Sequence, residues 1–141
     1  MTDISQNNSW LAFYRTNPLA NLRLFCFPYA GGSAMTYRAW AGLLPTNIEV
    51  CPIELPGRGS RMRETLYSNI KPLVTDLAEA LTLYQDKPFV FFGHSMGALI
   101  GFEIARTFRN QNRPGPVHLF VSGHTAPQFG CAHDPIYNLP E

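Results

Sequence analysis

The chain has 141 residues, of which 45% are hydrophobic and 15% charged, and its formal net charge is +1. That is enough apolar material for one core of single-domain size and not for two. A near-neutral balance gives no electrostatic case for nucleic acid or an anionic membrane. No uninterrupted apolar run approaches membrane-spanning length, and the polar first ten residues lack a basic, then apolar leader, so the chain reads as cytoplasmic.

In chain order, 22–27 is an apolar run of strand length, followed by the glycine-rich Phe27-Pro-Tyr-Ala-Gly-Gly-Ser-Ala34. Tyr37, Trp40, Ala41 and Leu44 recur at helical spacing behind Ser33 as a cap, and Pro45 stops that helix. A second strand is expected over 48–53, then the turn Pro56-Gly-Arg-Gly59. Ile70, Leu73, Val74, Leu77, Leu81 and Tyr84 make a cleaner helical stripe, with Ser68 as cap and Pro72 in the first turn, where a missing N–H costs little. A third strand over 89–92 leads into a helix beginning near Ala98. The polar loop 110–116 then separates that helix from a fourth strand over 117–122. Strands alternating with helices imply a mainly parallel, doubly wound α/β sheet. Cys26, Cys51 and Cys131 are odd in number and lack metal-ligand spacing; two lie inside apolar strands and read as buried thiols in a reducing compartment.

Gly93-His94-Ser95-Met96-Gly97 sits between the third strand and its helix, with a serine at the apex. This strand, turn and helix context makes a G-x-S-x-G match a nucleophile elbow. A serine on so tight a turn needs near neighbours without a Cβ, hence Gly93 and Gly97, and gains an exposed Oγ at a helix N-terminus that favours developing negative charge. Gly101 and Ala105 share one side of the helix and let it lie close against a sheet. His94 adjoins the serine, but its side chain should point away from Oγ across the turn, in a packing or hydrogen-bonding role that supports the elbow. Taken alone, the 27–34 loop is a glycine turn. Beside the elbow it reads as the other half of an oxyanion hole, with one N–H from Ala30 or its neighbour and one from Met96. Arg58, Arg61 and Arg63 form either a solvated loop or a basic rim that contacts a ligand or partner.

These stretches, with Glu54-Leu-Pro-Gly-Arg-Gly59, Asp86 to Ala98 and His118-Leu-Phe-Val-Ser-Gly123, resemble the type II thioesterases of nonribosomal peptide and polyketide synthesis and the related medium-chain acyl-carrier-protein thioesterases. The resemblance implies an α/β-hydrolase-type fold and hydrolysis of acyl thioesters from the phosphopantetheine arm of a carrier protein. It makes Ser95 the nucleophile and assigns the oxyanion-hole amides to Met96 and Ala30. It implies no metal or redox cofactor, since the substrate carries the phosphopantetheine, and a carrier protein of a synthase as partner. The arginine rim would steer an acidic carrier surface. A carboxylesterase or acyltransferase would use the same elbow, and a non-catalytic carrier-binding module is a further reading.

The resemblance covers residues 1–141 as the N-terminal part of one such domain. Hydrolases of this type order the triad Ser, Asp or Glu, then His, but after Ser95 the first aspartate is Asp134 and no histidine follows it. His118 reads as a core or edge residue, His124 and His133 as loop residues, and none as the base. The expectation is a chain truncated after the strand that follows the nucleophile helix, weakly active as given. Its apolar edge at 117–122 would then aggregate or recruit a sheet-completing partner.

Overall fold

The computed structural model describes residues 8–129; Cys131, His133 and Asp134 lie outside the described residues. β1 (Leu22–Phe27), β2 (Ile48–Pro52), β3 (Phe89–His94) and β4 (His118–Ser122) form a parallel sheet in the order β2-β1-β3-β4. From β1 the chain moves outward to β2, crosses back past β1 to β3, and continues to β4. β1 and β3 are therefore adjacent strands whose outgoing connections run in opposite directions. In open parallel sheets, the crevice at the carboxyl ends of such a pair is where ligands bind. Here those ends are Phe27, which opens the glycine loop, and His94, which precedes Ser95.

Strand alternation divides the apolar side chains between two layers. Phe25, Phe27, Phe89 and Phe91 face α2 (Ile70–Ala80) and α3 (Met96–Asn110), packing with Leu77, Ile100, Ile104 and Phe108 in the larger core. Phe25 meets Phe89 and Phe91 edge-on, as do Phe27 and Phe91, whose ring centroids lie 5.0 Å apart with planes at 83°. That geometry suits the ring quadrupoles. Cys26 and Val50 face the opposite side, with Tyr37 buried among them and Trp40 and Phe92 packed against the cluster. Both strand cysteines are buried free thiols. Burial pushes Cys26 up to about 12 and Cys51 well above the usual thiol range.

Three expected helical details differ. The 37–44 helix is split into a 3-10 turn, Ala34–Tyr37, and a four-residue α1, Trp40–Leu43. Ser33 does cap, but it caps the 3-10 turn, accepting the Met35 N–H at 3.3 Å. Leu44, preceding Pro45, is extended (φ −92°, ψ 158°), the conformation a following proline imposes. α2 is capped by Asn69, not Ser68. Asn69 has the extended backbone a cap requires, and its side chain accepts the Lys71 N–H at 2.9 Å. α2 also stops at Ala80, and Leu81–Tyr84 tightens into a 3-10 turn that buries Leu81 and Tyr84 all the same.

At the amino ends of the strands, Arg23 and its register partner Glu49 are both buried and joined by a 2.5 Å ion pair. Arg23 also bonds the Tyr84 carbonyl at 2.9 Å and pairs with Asp86, while the Asn17 N–H reaches Glu49 at 2.8 Å. At the far side of the sheet, β4 pairs only with β3 among the described residues. Phe120 and Val121 there are 51% and 56% exposed.

Candidate active site

Ser95 links the last residue of β3 to the first of α3 and has φ 53° and ψ −116°. A positive φ is rare for a residue with a Cβ and persists only where the surroundings enforce it. The enforcement is visible on both sides. The Ser95 N–H donates to the Ser122 carbonyl of β4 at 2.8 Å, and the Ser95 carbonyl accepts from Ala98 N–H at 3.0 Å. Its side chain makes no capping bond to the helix, so Oγ is not spent locally.

Gly93 and Gly97 make the turn sterically feasible. A Cβ on Gly93 would lie 2.2 Å from the Gly97 carbonyl oxygen, and one on Gly97 would lie 2.2 Å from the Phe27 carbonyl oxygen and 2.8 Å from that of Pro28. Real side chains do not tolerate such distances from backbone. The second contact also matters for the site, because it seats the first turn of α3 directly on the start of the loop after β1. Gly101, one turn on, would place a Cβ 3.3 Å from the Phe27 ring, so the helix lies close to the sheet as its small residues suggest.

The loop after β1 turns at Gly31 (φ 78°), closed by the Gly32 N–H to the Tyr29 carbonyl at 2.9 Å. Ala30 is exposed on its rim. Among the described residues, neither the Ala30 N–H nor the Met96 N–H has a protein acceptor. Met96 is also the first residue of a 15-residue helix, where backbone N–H groups are unpaired and the helix dipole is positive. Met96 lines an apolar cavity of about 280 Å³ with Tyr67, Ile70, Leu73, Leu99 and Ile100.

The histidines divide by environment. His94 is exposed, with Nδ1 3.0 Å from the Ser122 hydroxyl and its ring edge-on to Tyr29 at 6.1 Å. Gly123 (φ 65°) leaves room for that ring, since a Cβ there would sit 2.6 Å from it. His118 is an exposed strand residue against Phe120, and the His124 ring nitrogen Nδ1 donates to the Thr125 carbonyl at 2.7 Å. None of the three bonds Ser95. Of the arginines, Arg61 is engaged within the protein. It pairs with Glu64, bonds the Glu54 carbonyl at 3.1 Å and lies 4.3 Å over the Trp10 ring. Arg58 is half-buried and bonds the Gly57 carbonyl; Arg63 is exposed and has no partner among the described residues. No cluster of three or more metal-ligating side chains occurs among the described residues, and no helix there is long and apolar enough to cross a membrane.

A Thioesterase domain family model matches residues 22–138, which takes in the loop after β1, the elbow and β4. The chain belongs to the thioesterase domain family. The gramicidin S biosynthesis protein GrsT of Aneurinibacillus migulanus is 49% identical over 141 residues, covering 100% of this chain and 55% of GrsT. The human medium-chain S-acyl fatty acid synthase thioesterase is 44% identical over 110 residues, 77% of this chain and 42% of its own. Among solved structures, the type II thioesterase BorB from the borrelidin biosynthetic cluster superposes with a TM-score of 0.82 at 31% identity, covering 96% of this chain and 55% of BorB. The fold is thus the α/β-hydrolase-type arrangement of these thioesterases, and the chain spans about half the length of the curated relatives it matches.

Two residues beside this candidate site are not singled out by the sequence pattern alone. Ser122 supplies a backbone acceptor to Ser95 and a hydroxyl to His94, a role set by the β3–β4 register and invisible in composition. Glu54 had a signal that went unused: a single acid between Ile53 and Leu55 in an otherwise apolar stretch.

Proposed function

We propose that this chain carries the nucleophile and oxyanion hole of a type II thioesterase that hydrolyses acyl groups held as thioesters on the phosphopantetheine arm of a synthase carrier protein. The observation that carries this reading is Ser95. It is held at φ 53° by two sterically obligatory glycines, beside two backbone N–H groups with no acceptor among the described residues, in a chain of the thioesterase family.

Ser95 Oγ attacks the thioester carbonyl as a histidine from the part of the thioesterase domain that these 141 residues do not span takes its proton. The carbonyl oxygen becomes an oxyanion held by the Met96 and Ala30 N–H groups, assisted by the positive end of α3. The pantetheine thiolate leaves with the proton from the histidine. Water, deprotonated by the same histidine, then attacks the acyl-serine and releases the acid, regenerating Ser95. His94 buttresses the elbow through Ser122 and Tyr29. The cavity beside Met96 receives apolar acyl substituents, and the open β4 edge is where a further strand or a partner completes the sheet. Arg58 and Arg63 offer the free positive charge for an acidic carrier surface, with Arg61 committed to Glu64 and Trp10. The chemistry needs no metal or redox cofactor.

The test is hydrolysis of an acylated carrier protein by the protein as its gene encodes it, followed as release of free pantetheine thiol. Ser95→Ala is expected to lower turnover by at least about a thousandfold, as removing a triad nucleophile does. Turnover that survives this substitution, or activity confined to oxygen esters, overturns the proposal.

A further inference from the structure

Ala30 is asked to present its N–H at a defined point, yet it is exposed and makes no hydrogen bond among the described residues. Its loop must therefore be held from both ends. The near end is fixed where the Tyr37 hydroxyl donates to the Phe27 carbonyl at 3.0 Å and Gly97 abuts the same carbonyl. At the far end, beyond the local Gly32 to Tyr29 turn bond and the Ser33 cap, one buried side chain ties the loop to the rest of the fold: the Ala34 N–H donates to Glu54 Oε1 at 3.1 Å.

Glu54 is 1% exposed, and its other oxygen accepts the Ser60 N–H at 3.3 Å and the Ser60 hydroxyl at 3.4 Å. Gly59 (φ 46°) closes the second loop over the carboxylate, where any Cβ would lie 2.3 Å from Oε2. No Lys, Arg or His side chain pairs with it among the described residues. A buried carboxylate is costly and is tolerated when its lone pairs are filled by well-placed donors, as they are here. For packing alone, an apolar residue between Ile53 and Leu55 would serve better. What the carboxylate adds is a common anchor for the loop after β1 and the loop after β2, whose parent strands are neighbours in the sheet.

We propose that Glu54 is a positioning residue for the oxyanion hole: by holding the Ala34 N–H it sets where the Ala30 N–H points. The inference rests on the hydrolase reading above and adds to it a buried acid that never touches substrate. Removing one oxyanion donor typically costs about 10²–10³ in kcat, so a loosened donor should cost less but still act on turnover and not on ground-state binding.

The test compares wild type, Glu54→Asp and Glu54→Gln in the protein as its gene encodes it. The substrate is an acyl-pantetheine thioester, and a trifluoromethyl ketone of the same chain length, whose adduct with Ser95 carries an oxyanion, reports on the hole. Glu54→Asp keeps the charge but is one methylene short of both loops. It is expected to lower kcat about tenfold or more with KM within about twofold, and to weaken the ketone by the same factor. Glu54→Gln keeps the shape but offers only one acceptor oxygen, so it should fold even where Glu54→Asp does not and give an intermediate loss with the same split. Wild-type kcat and ketone affinity in the folded variants, with only the melting temperature lowered, overturn the inference. An inactive wild type, or activity indifferent to Ser95→Ala, defeats the hydrolase reading instead.

Discussion

The two ends of the parallel sheet are built to opposite rules. At the amino ends, Arg23 and Glu49 are buried charges whose bonding capacity is filled by one another, by the exposed Asp86 carboxylate, and by the Tyr84 carbonyl and Asn17 N–H. At the carboxyl ends, Ser95 is strained, and the Ala30 and Met96 N–H groups have no acceptor among the described residues. The first end tolerates buried charge because every partner is supplied. The second leaves two N–H groups open toward solvent among the described residues, and the packing around Gly93 and Gly97 enforces the positive φ of Ser95. The complete buried network holds the sheet together, while the open end keeps backbone N–H groups available to an incoming group.

The largest disruption expected is at the open end. Gly97→Val would force a branched side chain into the Phe27 and Pro28 carbonyls, which cannot withdraw without parting α3 from β1. A loss of more than about 4 kcal/mol is expected, enough to abolish cooperative unfolding in a marginal domain; a melting curve like wild type would mean the turn is relaxed. At the closed end, Arg23→Met leaves Glu49 buried and unpaired. It should cost about 3–5 kcal/mol by chemical denaturation, most of it recovered in the double variant Arg23→Met/Glu49→Leu. A double variant no better than the single would show that Arg23 acts through the Tyr84 carbonyl and not through the ion pair.

A smaller effect tests the layer between the two ends. Cys26 holds its proton to about 12 when folded, against 9.0 for a free thiol. Between those values the unfolded chain releases a proton that the folded chain keeps, so stability falls as pH rises, by at most about 1.4 kcal/mol per pH unit for each such thiol, and Cys51 shifts in the same sense. Denaturation midpoints in Cys26→Ala that decline as steeply with alkali as in wild type would contradict this. The smallest effect belongs to the surface. Arg58→Glu with Arg63→Glu should slow carrier-protein association at low ionic strength, lose that effect in high salt, and leave the melting temperature within about a degree or two of wild type. Equal association rates at low salt would place the docking face elsewhere.

Much of this was legible from residue order. The four strands, the parallel winding and the elbow at Ser95 follow from alternating apolar runs and helical stripes, which are local and periodic signals. The thioesterase family followed from motifs in fixed order. Helix caps were less legible, because Ser68 and Asn69 are both good cap residues and only the backbone angle at Asn69 decides between them. Arg61 illustrates the same limit: as a charged loop residue it looked solvent-facing, but Trp10, some fifty residues away, lies under its guanidinium.

What the sequence by itself determined is therefore the set of elements, their winding and the tight strand-to-helix turn with Ser95 at its apex, all carried by short-range pattern and by residue types that only one kind of turn accepts. What only the tertiary structure decided is which groups share a partner: that Gly97 presses on the Phe27 carbonyl, that Ser122 holds Ser95 across the β3–β4 register, and that Glu54 ties two loops to one carboxylate. Those contacts join residues separated by 20 or more positions in several cases, such as Ala34 and Glu54. Hydrogen bonds and steric exclusion act at about 3 Å, so they come into being only after the strands have paired and brought distant residues together.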